Sequence, residues 1–133
     1  VKITKNKLDT IIWGGITDLY SKLFNLDKTL ENTNSTKSVR ILISHNPDIT
    51  DFVQDSDNID LILSGHTHGA QIFFSKFFSL PMPVKNKAFR KGFFDIGKKT
   101  KMFVSQGVGN SATRIRINND YEIARIVLLP EKE

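Results

Sequence analysis

The 133-residue sequence contains no cysteine. A disulfide framework and a thiolate metal site are both excluded, so any metal must be held by nitrogen and oxygen donors. Methionine occurs only at Met82 and Met102, and the chain opens on Val1. It therefore does not begin where translation would, and it reads as a processed or truncated piece of a longer protein. No apolar run approaches the ~18 residues that cross a bilayer, and the amino-terminal residues are too polar for a secretory signal. Histidine is nearly as scarce, with only His45, His66 and His68.

What is present suits one domain. A hydrophobic content of 39% over this length can bury about two thirds of the unfolded surface, so a single domain over residues 1–133 is expected. The 19 Lys and Arg against 14 Asp and Glu leave a net charge of +5. That excess fits an anionic substrate, a membrane surface or nucleic acid without choosing among them.

In chain order, Asp9 to Thr17 has a β-branched centre that ends at Gly14-Gly15, which predicts a strand running into a tight bend. Leu19, Leu23, Leu26 and Leu30 then recur at helical spacing, with a break expected near Asn25, and core packing explains that stripe best. Glu31 to Ser38 is polar throughout and predicts a surface connector. Val39 to Ile43 and Leu61 to Leu63 are nearly continuous aliphatic runs, the pattern of parallel strands buried on both faces. Between them Asn46 can cap a short helix with Pro47 in its first turn, Phe52 and Val53 on its apolar face and an end near Ser56. Strand, helix and strand then form one right-handed βαβ unit.

This geometry brings chemistry together. The carboxyl ends of neighbouring parallel strands lie about 5 Å apart, and His45 and His66 each follow such an end, where open α/β sheets bind their ligands. Gly65 and Gly69 bracket the His66-x-His68 pair and let the backbone turn, so that His68 can swing back toward the same point. Three neutral imidazoles suit zinc, manganese or iron. A lone His-x-His in a polar loop is more often solvated or core histidine. Here all three histidines fall between Ile41 and Gly69, two of them at equivalent strand ends, and that context favours a metal site.

The segments Ile41 to Asp48 (ILISHNPD), Asp60 to Ile72 (DLILSGHTHGAQI), Val104 to Asn110 (VSQGVGN) and Arg114 to Leu129 (RIRINNDYEIARIVLL) resemble the C-terminal half of calcineurin-like metallophosphoesterases. The likeness is nearest to the bacterial branch of membrane-associated phosphodiesterases and enzymes that cleave UDP-diacylglucosamine. Ile11 to Asp18 (IIWGGITD) resembles the strand and acidic bend before that family's helical connector. The resemblance implies an α/β fold, here half of a four-layered α/β/β/α sandwich with a mixed sheet and the βαβ unit, the N-terminal half being absent. It implies hydrolysis of a phosphate mono- or diester at a centre of two divalent ions (Zn, Mn or Fe). By motif, His45 and His66 would bind the second ion and His68 the first. The family's Asp-x-His, Gly-Asp and Gly-Asn-His motifs do not occur here; Gly109-Asn110 lacks the following histidine. No catalytic acid or base is therefore assigned, since the family's general acid belongs to the absent half. Without the bridging carboxylate, two divalent charges would repel, so the isolated chain is expected to bind at most one ion, loosely, and to be nearly inactive.

Beyond the histidines, Phe73 to Arg90 sets four phenylalanines within six residues, then Pro81-Met82-Pro83, then a basic run through Lys91 to Lys98, Lys99 and Lys101. A rim loop touching lipid and phosphate headgroups, and a buried phenylalanine cluster beside a solvated basic hairpin, explain it equally well. A nucleic-acid groove is disfavoured because no recognition module is visible. Gln106 to Asn110 reads as a turn that reverses the chain or approaches the metals. Arg114 and Arg116 read as surface charge before phosphate ligands, and Tyr121 to Leu129 reads as a long strand stopped by Pro130. The expected partners are a phosphoester, of which a lipid or nucleotide-sugar lipid is one form, and a membrane surface in peripheral contact. A second copy is also expected, because a half-sandwich leaves a sheet face uncovered. The implied location is the cytoplasm or membrane of a bacterium. The competing reading is a non-catalytic remnant or interaction domain of the same fold, and a single-metal hydrolase that adds Asp18 is a third.

Overall fold

The computed structural model describes residues 10–33, 38–75, 78–79 and 81–129. Its frame is a five-stranded mixed sheet of β1 (Thr10–Gly15), β2 (Ser38–Ile43), β3 (Leu61–Ser64), β6 (Gly92–Ile96) and β7 (Thr100–Val104), in the order β1-β2-β3-β7-β6. The first four of that order run parallel, and β6 pairs antiparallel with β7 as a hairpin. A small antiparallel pair, β4 (Phe73–Ser75) and β5 (Phe78–Ser79), stands apart. The α/β class and mixed sheet expected from the sequence are present, and the two aliphatic runs are parallel neighbours, with Ile41, Leu42 and Ile43 opposite Leu61, Ile62 and Leu63.

The connection between them differs from expectation. Instead of an α-helix ending near Ser56, the chain makes two 3₁₀ turns, Pro47–Asp51 and Asp55–Asp57. Asn46 caps the first as anticipated, its side chain accepting from the Asp48 N–H at 2.8 Å. Within so short a segment, a second cap box at Gln54 and Asp57 restarts the chain before an α-helix can propagate, and helix nucleation is costly for short pieces. Asp48 also turns its carboxylate onto the Lys85 N–H at 2.8 Å, a tertiary bond that holds the first turn.

The leucine stripe breaks at Asn25, where a break was expected. Leu19–Ser21 is a 3₁₀ turn, and α1 (Leu26–Leu30) starts with Asn25 as its N-cap. The break rotates Leu23 out to solvent at 80% exposure, while Leu19, Leu26 and Leu30 pack on the core.

Strand pairing decides which side chains share a face. Leu42, Ile62, Met102 and Phe94 lie in one register row, and Leu42, Ile62, Met102 and Val104 form the core with Ile49 and Ile59. Each fully buried aliphatic side chain contributes about 1.5–3 kcal/mol through removal from water. The alternate face carries Trp13, Ile43 and Phe93, all exposed. Burial on both faces was predicted; among the described residues only one face is fully covered.

The tail departs further from expectation. Tyr121 to Leu129 forms no strand, and among the described residues the preceding segment makes one isolated bridge, Ile72–Ile117. Ile123 is 91% exposed, so its alternating apolar residues have no sheet partner here. Glu122 fixes the start of this segment by accepting from the Ser105 hydroxyl and the Gln106 N–H, both at 3.0 Å. No helix among the described residues is long and apolar enough to cross a membrane.

Candidate metal centre

His45 and His66 meet as the strand geometry requires. Each stands two residues beyond its strand, the His45 carbonyl accepts from the Gly65 N–H at 3.0 Å, and the rings lie edge to face with His45 Nε2 and His66 Nδ1 3.1 Å apart. Two nitrogens bound to one metal at about 2.0–2.1 Å and at angles between square and tetrahedral stand about 2.9–3.4 Å apart. The observed spacing falls inside that interval.

The proton positions of the ring nitrogens follow from their partners, since a carbonyl only accepts. His66 Nε2 faces the Pro83 carbonyl at 3.1 Å and so carries hydrogen, which leaves Nδ1, the atom beside His45, as an electron-pair donor. His68 Nδ1 faces the Gly109 carbonyl at 3.1 Å, which leaves its Nε2 unprotonated in the neutral ring. A metal-binding histidine typically donates its second N–H to a carbonyl or carboxylate in this way. His68 does not join the other two: among the described residues, no three imidazole or carboxylate groups converge as a metal-holding cluster.

Tyr20 closes one side of the pair. Its hydroxyl donates to the Pro83 carbonyl at 2.5 Å and lies 3.4 Å from His66 Nε2. Nothing in the sequence pattern marked this tyrosine, because the contact joins positions 46 and 63 residues apart. Beyond it opens a cleft of about 610 Å³ lined by Tyr20, Phe24, Phe52, Met82, Val84 and Lys22 among others.

The flanking segments resolve several open readings. The Gln106–Asn110 turn does approach the histidines, through the Gly109 carbonyl. Arg116 is not loose surface charge: it donates to the carbonyls of Gln106 and Asp120 at 3.0 Å, also bonds the Gly109 carbonyl, and lies over the Tyr121 ring. In the phenylalanine-rich stretch, Phe73 is partly buried beneath the Arg90 guanidinium, whereas Phe74 is exposed. One phenylalanine of the four is thus partly buried and one exposed; Phe77 and the side chain of Phe78 lie outside the described residues.

The chain is 38% identical over 98 residues to an uncharacterized metallophosphoesterase of Campylobacter jejuni, covering 74% of this chain and 25% of that protein. It is 32% identical over 136 residues to a UDP-2,3-diacylglucosamine pyrophosphatase of Chlamydia trachomatis, covering 92% of this chain and 39% of the relative. A transmembrane protein with metallophosphoesterase domain from Danio rerio is 30% identical over 128 residues, covering 90% of this chain and 28% of that protein. Over most of its length the chain is thus similar in sequence to proteins named as metallophosphoesterases. It spans between a quarter and about two fifths of the length of these relatives. No family model matches the chain, and no solved structure matches it. The name of the relatives implies a divalent metal ion, and the two strand-end imidazoles, at ligand spacing and with His66 Nδ1 free to donate, fit one.

Proposed function

We propose that the protein carrying this chain is a hydrolase of phosphoester bonds, and that His45, His66 and His68 are its metal ligands from these residues. The observation that carries this reading is the 3.1 Å approach of His45 Nε2 to His66 Nδ1 at the ends of adjacent parallel strands, with the second nitrogen of His66 tied to a carbonyl. In this reading His45 and His66 hold one ion. His68, whose Nδ1–H is committed to Gly109, offers Nε2 to a second ion whose remaining ligands, a bridging carboxylate among them, lie outside the described residues. When bound, the divalent ions neutralise charge on the phosphate oxygens and make water acidic enough to attack near neutral pH. The chain's own part is to orient: Pro83 and Gly109 fix the imidazole tautomers, and Tyr20 shields one flank of His66 from water.

The substrate in this reading has an apolar arm. A cleft of about 610 Å³ is of the size that holds a small-molecule ligand, its aromatic and aliphatic lining suits an acyl or aromatic group, and Lys22 at its rim suits an attached phosphate. The Chlamydia trachomatis relative is named for a diacylated nucleotide sugar, which agrees. Peripheral contact with anionic lipid and pairing of two copies through the open sheet face complete the proposal; liposome flotation and sedimentation of the protein test them.

Calorimetric titration of this chain with zinc or manganese should show one weak site that His45→Ala and His66→Ala each remove. Hydrolysis of a bis-aryl phosphate should be near background. Robust hydrolysis by this chain alone, abolished by His66→Ala, would refute the division of ligands between this chain and residues outside it. An unchanged titration in both variants would refute the metal assignment itself.

A further inference from the structure

The loop that presents His66 and His68 is bent into a conformation that its own sequence does not favour. His66, His68, Ala70 and Gln71 all have positive φ, at 68°, 48°, 70° and 47°, and Gly69 lies at 62°. Side chains with a Cβ rarely adopt this region, and a cluster of such residues persists only where the surroundings over-determine it. The surroundings here are two buried amides. Gln71, 5% exposed, accepts from the Ser111 N–H at 2.7 Å. Its amide nitrogen faces the carbonyls of Ser111, Thr113 and Ile115 at 2.8 to 3.1 Å, and the Gln71 carbonyl accepts from the Ile117 N–H at 3.0 Å. Asn119, 3% exposed, donates to the His68 carbonyl and occupies the space that a Cβ on residue 69 would need. From the other side, the Thr67 hydroxyl donates to the Arg90 carbonyl at 2.6 Å, and Arg90 donates to the Gly69 carbonyl at 3.3 Å.

We infer that Gln71, together with Asn119, is a positioning residue: it locks the His66-x-His68 loop onto the 107–119 segment, which sets the imidazole directions and brings the Gly109 carbonyl to His68 Nδ1. The inference rests on the metal reading for its function, although the geometry it describes does not. The chemical logic is economical. A glutamine amide supplies both a donor and an acceptor from one planar group, so one side chain can gather several backbone groups of a neighbouring segment that forms no strand of its own. Truncation would remove those part-buried hydrogen bonds, and the loop would relax toward ordinary φ values with its imidazoles rotated away.

The test uses the chain with Gln71→Met, which keeps the shape and loses the hydrogen bonds, and Gln71→Glu, which keeps the acceptor for Ser111 but sets a carboxylate against three carbonyls. Imidazole ¹⁵N spectra, thermal melting and cobalt titration are followed together. The expected result is a cooperative melt in both variants, displaced or broadened His66 and His68 ring signals, and a His45 ring signal that shifts less than either. Cobalt affinity should fall at least tenfold, and Gln71→Glu should be the more severe. Unchanged His66 and His68 signals in a folded variant would overturn the inference. Should the variants fail to fold, the unaltered chain still decides: the Gln71 side-chain amide protons must exchange slowly, and freely exchanging ones would overturn it. If cobalt leaves all histidine signals of the unaltered chain untouched, the metal reading fails while the positioning result stands on the ring spectra.

Discussion

Gly69→Ala probes the packing around the histidine loop most directly. The position has φ of 62°, and an added Cβ would collide with the Asn119 side chain. A non-glycine residue forced into the left-handed region costs about 1–2 kcal/mol. Displacing Asn119 removes its hydrogen bond to the His68 carbonyl, and a buried polar group left without a partner costs about 1–3 kcal/mol. The expected destabilisation is therefore about 2–5 kcal/mol, read as a lowered urea midpoint with an unchanged slope. The steric part is separable. In an Asn119→Ala background the colliding atoms are gone, so only the backbone cost of about 1–2 kcal/mol should remain, and the double-mutant cycle should show a coupling of about 1–3 kcal/mol. Additivity within about 0.5 kcal/mol would refute the claim that Asn119 and Gly69 compete for the same space. Gly92, with φ of 96° and nothing near its Cβ position, is the control: Gly92→Ala should show the backbone cost without coupling to Asn119.

Three further outcomes are expected. Ile62→Ala, in a fully buried site between Leu42 and Met102, should cost about 2–5 kcal/mol in denaturant unfolding, whereas Leu23→Ala, at an exposed position, should stay within about 0.5 kcal/mol. Asn46→Ala should cost about 1–2 kcal/mol, because the buried amide caps the Pro47–Asp51 turn; a measured change near zero would show that Asp48 and Lys85 hold that turn unaided. The hydrogen bond to Asp51, and then its charge, lifts the Lys85 ammonium above its ordinary 10.5. Because the folded value is the higher one, the stabilisation is complete below the ordinary lysine value and is lost as pH climbs through the raised one. This pair is exposed, so the melting difference between the parent and Asp51→Asn at neutral pH should be small, should shrink in 1 M salt (a Debye length of about 3 Å) and should vanish at strongly alkaline pH. A difference that persists in high salt would point to packing rather than charge.

The sequence carried the sheet well where local pattern and tertiary demand agree. VRILI, interrupted only by Arg40, and LIL are aliphatic runs, and such segments favour the interior of a parallel sheet. His45 and His66 follow those runs two and three residues on, so their meeting was legible in the sequence. Asn25 and Asn46 were legible as caps for the same reason, since a capping side chain bonds to backbone only two or three residues away.

Tertiary structure decided everything that depended on distant partners. The segment between β2 and β3 had a helix's cap and first-turn proline, yet Asp48 bonding to Lys85, 37 positions later, and a second cap at Gln54 settled it as 3₁₀ turns. The tail from Tyr121 to Leu129 alternates as a strand should, but strands need a partner edge, and none is offered to it among the described residues. His68 could be placed beside its fellow histidines by proximity in sequence; its ring direction is set instead by Gly109, 41 positions away. The roles of Tyr20, Gln71 and Asn119 could not be read locally, because they consist of hydrogen bonds to chain segments some 40 to 60 positions distant. Short-range pattern thus determined which residues could form the site. Long-range hydrogen bonding, invisible to any local window, determined which nitrogen of His66 and of His68 is free and which way it faces.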